Sequence, residues 1–303
     1  MHPKTKSTLA ARALQFLLAA FLLQLTICAF AEPRVEKDVV YGNAGGEDLK
    51  LDIYRPESDA TSHPVVLLIH GGGWAGGDKT AHQYIGVPLA KAGCLAISAN
   101  YRLAPKFQYP AQVDDCQAAL RWVRSHSADY GGDAKRLALM GESAGGHLVS
   151  LMGLWDWTTT GTAVQGATAD SRVRAVINVF GPSDLTGFEQ VPFVQDLLKN
   201  FLGGPESQYP ELYRELSPVF VLEKDGLVQK PGPAFLHLHG TKDVLVPVDQ
   251  TRKFDAKLRE KGFDSKAIIF EGANHGWPPD GEEGKQSKAA VGELLRRTLG
   301  PTK

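Results

Sequence analysis

From Val65 onward, nearly continuous apolar runs alternate with stretches of helical period. Val65–Ile69, Cys94–Ala99, Arg136–Met140, Val173–Val179, Ala234–Leu238 and Lys266–Phe270 read as strands. Runs with so few polar positions fit strands covered on both faces, as in a parallel sheet. Between them, Thr80–Ala92, Ala111–His126, Ala144–Trp155, Val248–Lys261 and Gly284–Leu299 read as helices. Upstream, Leu49–Tyr54 sets apolar Leu49, Leu51 and Ile53 against polar Lys50 and Asp52, the pattern of an exposed antiparallel strand. Strand–helix alternation of this kind predicts an α/β fold with a doubly wound, mostly parallel sheet. No internal repeat or low-complexity segment interrupts it.

One segment breaks the alternation. Ser183 to Pro233 holds no strand-like run, and it carries Pro192, Pro205, Pro210, Pro218, Pro231 and Pro233. It is too long for a plain loop. Short helices over the top of the sheet are expected here, forming a small lid insertion, with a purely structural insertion as the other reading. Ligands of such sheets bind beyond the carboxyl ends of the strands, and an insertion between two strands emerges at one end.

The chemistry concentrates at strand ends. Gly141-Glu142-Ser143-Ala144-Gly145 directly follows Arg136–Met140. A serine on a tight strand-to-helix turn is strained and tolerates only small neighbours, and its hydroxyl is lifted clear of the sheet. Alone the motif is weak. His70-Gly71-Gly72-Gly73-Trp74, directly after Val65–Ile69, strengthens it. Attack on an ester carbonyl creates an oxyanion, which aimed backbone N–H groups stabilise. Gly72, Gly73 and Ala144 are the expected donors, and Trp74 is the expected substrate-binding wall. The next stretch, Gly76-Gly77-Asp78-Lys79-Thr80, is glycine-rich, but Asp78 interrupts the Gly-Lys-Ser/Thr of a phosphate loop and would repel phosphate.

A serine nucleophile needs a base and an acid, which in this arrangement follow in the order Ser, Asp or Glu, His. Of nine histidines, only His275 lies beyond the last strand-like run. Asp243 follows Ala234–Leu238, in His239-Gly240-Thr241-Lys242-Asp243. Asp249 and Asp184 compete for the acid role. Asp249 reads better as a helix start, where a carboxylate meets the positive end of the dipole, and Asp184 as a turn or cap residue. His147, one turn after Ser143, reads as packed, and His70 as a loop-ordering hydrogen-bond partner. No His, Cys, Asp and Glu cluster has ligand spacing, so neither metal nor cofactor is expected.

The chain has 303 residues and a net charge of −1. That range covers one large domain or two small ones. No dense run of lysine or arginine points to nucleic acid. Lys4, Lys6 and Arg12 precede an apolar stretch from Ala13 to Leu25, and Ala29-Phe30-Ala31 makes a small-x-small cleavage site. This reads as a secretory signal peptide cleaved after Ala31, which places the product in the periplasm or outside the cell. The stretch is short for a membrane span and carries Gln15 and Gln24, so no stable span is expected. Cys94 and Cys116 remain after cleavage. They fall on a strand and a helix running in opposite directions, and are expected as two buried thiols rather than a bridge.

Taken together, His70–Trp74, Gly141–His147, Asn100-Tyr101-Arg102-Leu103-Ala104-Pro105 and the Asp243 and His275 contexts resemble the α/β-hydrolase esterases related to hormone-sensitive lipase. Leu51-Asp52-Ile53-Tyr54-Arg55-Pro56 and Gly76-Gly77-Asp78-Lys79 are closer to their bacterial feruloyl-esterase-like branch. The likeness runs from about Val35 to Thr298, and Glu142 stands where the lipase-related group commonly has Asp. It implies an α/β-hydrolase domain over 32–303 with the insertion at 183–233. It also implies carboxylesterase activity on a small-molecule or glycan-linked ester. Prolyl-oligopeptidase-type peptidases share the Asp243 and His275 contexts but normally carry a large N-terminal propeller. Non-catalytic modules of this fold usually lose a catalytic residue, and here none is missing.

Overall fold

The computed structural model describes residues 32–58, 61–155, 172–224, 228 and 230–301. The expected signal peptide at 1–31 lies outside the described residues. Eight strands form one sheet in the order β1-β2-β4-β3-β5-β6-β7-β8. They are β1 (Arg34–Ala44), β2 (Glu47–Arg55), β3 (His63–Ile69), β4 (Leu95–Ala99), β5 (Gly132–Glu142), β6 (Ala175–Val179), β7 (Ala234–Gly240) and β8 (Ser265–Phe270). From β4 to β8 all neighbours are parallel, while β1–β2 and β2–β4 are antiparallel. Each expected strand is present. The helices between them are α1 (Gln83–Lys91), α2 (Ala111–His126), α3 (Ala144–Leu154), α7 (Asp249–Glu260) and α8 (Glu282–Leu299). The 183–233 segment supplies α4 (Pro192–Leu202), α5 (Pro210–Glu215) and α6 (Pro218–Val221). Each begins on proline, whose missing N–H is no loss at a helix start. This is the α/β-hydrolase architecture.

The central stretches of β3 to β7 are buried and mostly apolar because helices cover both faces. One core lies between the sheet and α2, α3 and the 192–221 helices. The other lies beneath α1 and α8. Cys94 and Cys116 are free and buried, one in each core. Burial raises both thiols, Cys94 to about 11.

The expectation of an exposed strand at Leu49–Tyr54 is corrected. β2 is antiparallel, but Leu49, Leu51, Asp52, Ile53 and Tyr54 are all buried. β1 covers the outer edge, and the start of α1 packs Gly86 against the Tyr54 ring. The polar residue in this alternation, Asp52, is therefore in the protein rather than in water. Lys79 reaches it at 2.9 Å and also meets Asp38 at 3.0 Å, with 5% of its own side chain exposed. Asp78 accepts from Thr80 N and Asn100 Nδ2, capping the short 3₁₀ turn Lys79–His82. The glycine-rich stretch is thus an ion-paired anchor for the sheet edge.

Removing one member of a buried pair leaves the other uncompensated, at a cost of about 3–5 kcal/mol. Lys79→Met is expected to lower unfolding free energy in urea by that amount. A loss no larger than the roughly 0–1 kcal/mol of a surface pair would contradict the burial of this contact.

Candidate active site

β3 leads to β4 on one side, and the chain then crosses to β5 on the other. The crevice at such a reversal is where open α/β sheets bind ligands. The registers Ile69↔Gly141, Glu142↔Val179, Val179↔Leu238 and Gly240↔Phe270 bring the carboxyl ends of five strands to one edge. Ser143 and the loops holding Gly72, Asp243 and His275 all leave from that edge.

Ser143 separates β5 from α3 with φ 52° and ψ −121°. Few residues adopt this conformation, which costs about 1–3 kcal/mol. Its N–H donates to Val179 O at 2.9 Å, and α3 behind it is buried throughout. A Cβ on Gly145 would lie 1.9 Å from Ile69 O, so only glycine lets α3 start this close to β3.

His275 Nε2 is 2.9 Å from Ser143 Oγ, and His275 Nδ1 is 2.7 Å from Asp243 Oδ2. Asp243 accepts at Nδ1–H, so the lone pair at Nε2 faces the serine hydroxyl. Asp243 has no exposed side-chain area. Its Oδ1 accepts from the N–H groups of Leu245 and Val246, both at 2.9 Å. Its Oδ2 also accepts from His239 Nε2 at 3.0 Å. Burial pushes this carboxyl up, but donors from His239, His275 and Val246 outweigh it and hold it well below the ordinary carboxylate range.

The loop after β3 is braced from Asn100–Pro105. Tyr101 stacks on His70 at 4.3 Å and donates to His70 O, while Ala104 N donates to Trp74 O at 2.9 Å. Arg102 is locked by a two-pronged ion pair to buried Asp115. His70 Nδ1–H donates to Gly71 O, and burial lowers its imidazole to about 4. Gly72 sits at φ +109°, where a Cβ would meet Gly76 O at 2.3 Å. Among the described residues, no acceptor takes the backbone N–H of Gly72, Gly73 or Ala144. All three residues line a cavity of about 520 Å³ with Ser143, His275 and Trp74. Phe193, Val194 and Leu197 of α4 close its other side.

Residues 51–258 match the BD-FAE family. The chain belongs to the BD-FAE family. A probable carboxylic ester hydrolase, LipM of Mycobacterium tuberculosis, is 36% identical over 74% of this chain and 51% of its own length. The chain spans about half the length of the curated relatives it matches, such as LipM and LipQ. Among solved structures, the esterase Est2 of Thermogutta terrifontis aligns with TM-score 0.69 and 25% identity, covering 90% of this chain and 94% of Est2. A truncated carbohydrate esterase from gut microbiota aligns with TM-score 0.72 and 26% identity, over 88% and 98%.

Within this BD-FAE chain the competing acids lie elsewhere. Asp184 Oδ1 accepts from Thr186 N and Oγ1 in a turn, and Asp249 opens α7 with an ion pair to Arg252. His147 is buried, accepting from Trp74 Nε1 at 3.3 Å and donating to Leu216 O at 2.7 Å. Trp74 reaches the cavity wall but is only 2% exposed, because its ring stacks on Phe201 at 4.9 Å. It shapes the wall through packing rather than offering a free face.

Two site residues escape sequence reasoning. His239 is wholly buried, with Nε2 also 2.9 Å from Val246 O and Nδ1 2.7 Å from Thr251 Oγ1. Two acceptors at Nε2 require a proton there, so His239 is a fixed donor to Asp243. Its position four residues before Asp243 was the available signal. Phe180, at φ 42°, lies against the His275 ring at 4.5 Å between centroids. It follows β6 at the same sheet edge as the other site loops.

A carboxyl held low in the fold stabilises it above the unfolded value of about 3.9, and that stability is lost as pH falls through the folded value. The unfolding free energy gap between wild type and Asp243→Asn is therefore expected to shrink below about pH 4. Urea unfolding at stepped pH measures it. A gap independent of pH would contradict the donor arrangement around Asp243.

Proposed function

We propose that this chain is a serine carboxylesterase that hydrolyses short acyl esters of small aryl or glycan-linked alcohols. The observation that carries this reading is the hydrogen-bonded chain from Asp243 through His275 to Ser143. It opens into a cavity bearing three N–H groups that no acceptor among the described residues engages. The named esterases among the chain's relatives support the same reaction class.

Neutral His275 takes the proton of Ser143 Oγ through Nε2, and Asp243 orients the ring and stabilises its cation. Oγ bonds to the ester carbonyl carbon, and the carbonyl oxygen becomes an oxyanion within reach of Gly72, Gly73 and Ala144. The intermediate collapses, the alkoxide takes the proton from His275, and the alcohol leaves. Water then attacks the acyl-enzyme with His275 as base, releasing the acid and restoring Ser143. No step uses a metal or cofactor.

A confined acyl pocket follows from the walls. Trp74 is fixed by Phe201, and Leu197 approaches the Gly73 backbone. Structures of Est2 hold propionate and butyrate, which supports short acyl groups by analogy. The helices of 183–233 act as the lid by supplying Phe193, Val194 and Leu197. The product is secreted or periplasmic on the strength of Ala29-Phe30-Ala31.

Ser143→Ala is expected to fold normally and to lose at least about 10³-fold in kcat for p-nitrophenyl butyrate, because the covalent route disappears. Undiminished turnover in that variant would sink the assignment. With wild type, kcat/KM is expected to peak at acyl chains of about two to six carbons, since added methylenes help only while apolar wall remains to receive them. A profile still rising at about twelve carbons would overturn the confined pocket. N-terminal sequencing of protein from the medium or cell envelope is expected to begin at Glu32. A cytoplasmic product that retains Met1 would contradict export.

A further inference from the structure

On the sheet face away from α3, α1 packs on β2 and β4, while α8 packs on β5, β6 and β7. The gap between the two helices is a cavity of about 440 Å³. This lies within the range of sites that take small ligands. Its floor is Met140, Val179 and Leu238, and its sides are Leu89, Val291 and Leu295. The groove follows the length of α8, from Gly284 past its last turn to Gly300, about 24 Å at the helical rise. Its shape is therefore that of an extended chain rather than a compact ring.

Charge on the α8 side of this lining is positive. Glu142, at the end nearest Ser143, is engaged by the Tyr84 hydroxyl and faces His82 at 3.7 Å. Lys288 and Arg296 also line the groove, are solvent-exposed, and have no anionic partner among the described residues. They stand at four-residue steps with Gly284 and Gly292, so the series shares one face of α8. Gly292 is unexplained by packing. A Cβ there would meet only the Arg296 guanidinium, at 3.3 Å. Glycine is a poor residue for a helix interior, and here its effect is to keep the groove open beneath two cations that lack an anionic partner among the described residues.

Phe180 and Glu142 line both this groove and the Ser143 cavity, so they stand between the two. A chain lying in the groove is thus separated from the nucleophile and is not the acyl group under attack. We infer that the groove between α1 and α8 binds a free long-chain fatty acid, its tail along the apolar floor and its carboxylate on Lys288 and Arg296. This site is independent of the hydrolytic reading, and its test does not use turnover.

Calorimetric titration of the full chain with dodecanoate, below its critical micelle concentration, is expected to give saturable binding at one site per chain. Dodecyltrimethylammonium is expected to bind at least about tenfold more weakly, because its head group meets two cations instead of pairing with them. Gly292→Leu, which fills the groove, is expected to weaken dodecanoate at least about tenfold through lost methylene burial. Lys288→Glu with Arg296→Glu, both on the surface, is expected to reverse the head-group preference while circular dichroism stays native. Phe193→Arg, in the Ser143 cavity, is expected to leave dodecanoate binding unchanged. The inference is overturned by absent binding, by equal affinity for the two head groups, or by a preference that survives the charge reversal. It is equally overturned if Phe193→Arg abolishes binding, which would place the ligand in the Ser143 cavity.

Discussion

The backbone of Ser143 is held at a positive φ because α3 begins almost on top of the end of β3. That close approach organises the rest of the site. It presents the Ser143 hydroxyl to His275 and leaves Ala144 N–H at the free start of α3. It also seats the helix beside the loop that carries Gly72 and Gly73. The strain, about 1–3 kcal/mol, is offset by burying every residue of α3. A bulkier residue at Gly145 could not be absorbed by a side-chain rotation, since the atoms it would strike are backbone.

Around this turn, order is imposed by polar contacts whose charges are matched inside the protein. Asp243 is an anion without exposed side-chain area, yet four donors converge on its two oxygens. The Nε2–H of His239 is spent on that carboxylate and on Val246 O, so it holds Asp243 rather than facing Ser143. On the other flank, Tyr101 and Arg102 tie the β3 loop to Asp115 on α2. Both flanks hold their groups before any substrate arrives, which is the condition for electrostatic stabilisation to cost little at the moment of reaction.

The parts of this fold legible in sequence were those with a periodic or chemical signature. Val65–Ile69 and Ala234–Leu238 could be read as central strands because helices cover both faces and leave almost no polar position, His237 being the one exception. Ser143, Asp243 and His275 could be read because each sits directly beyond such a run, in an order set by topology. β1 was not legible. It is a bulged edge strand whose residues are mostly exposed, so its sequence carries no continuous apolar run. Asp52 misled for a related reason. Alternation marks a polar face as solvent only when nothing polar waits on the other side, and Lys79, distant in sequence, waits there. His239 and Phe180 act through tertiary contacts to Asp243 and His275, which spacing along one chain does not display.

If the strained turn activates Ser143, that hydroxyl reacts with an electrophile ahead of the other serines. Reaction with a fluorophosphonate, followed by mass-spectrometric peptide mapping, tests it most directly. A single phosphonyl adduct is expected, on the peptide that contains Gly141–Gly145. An adduct on another serine, such as Ser150 or Ser183, or no adduct on folded protein, would contradict it.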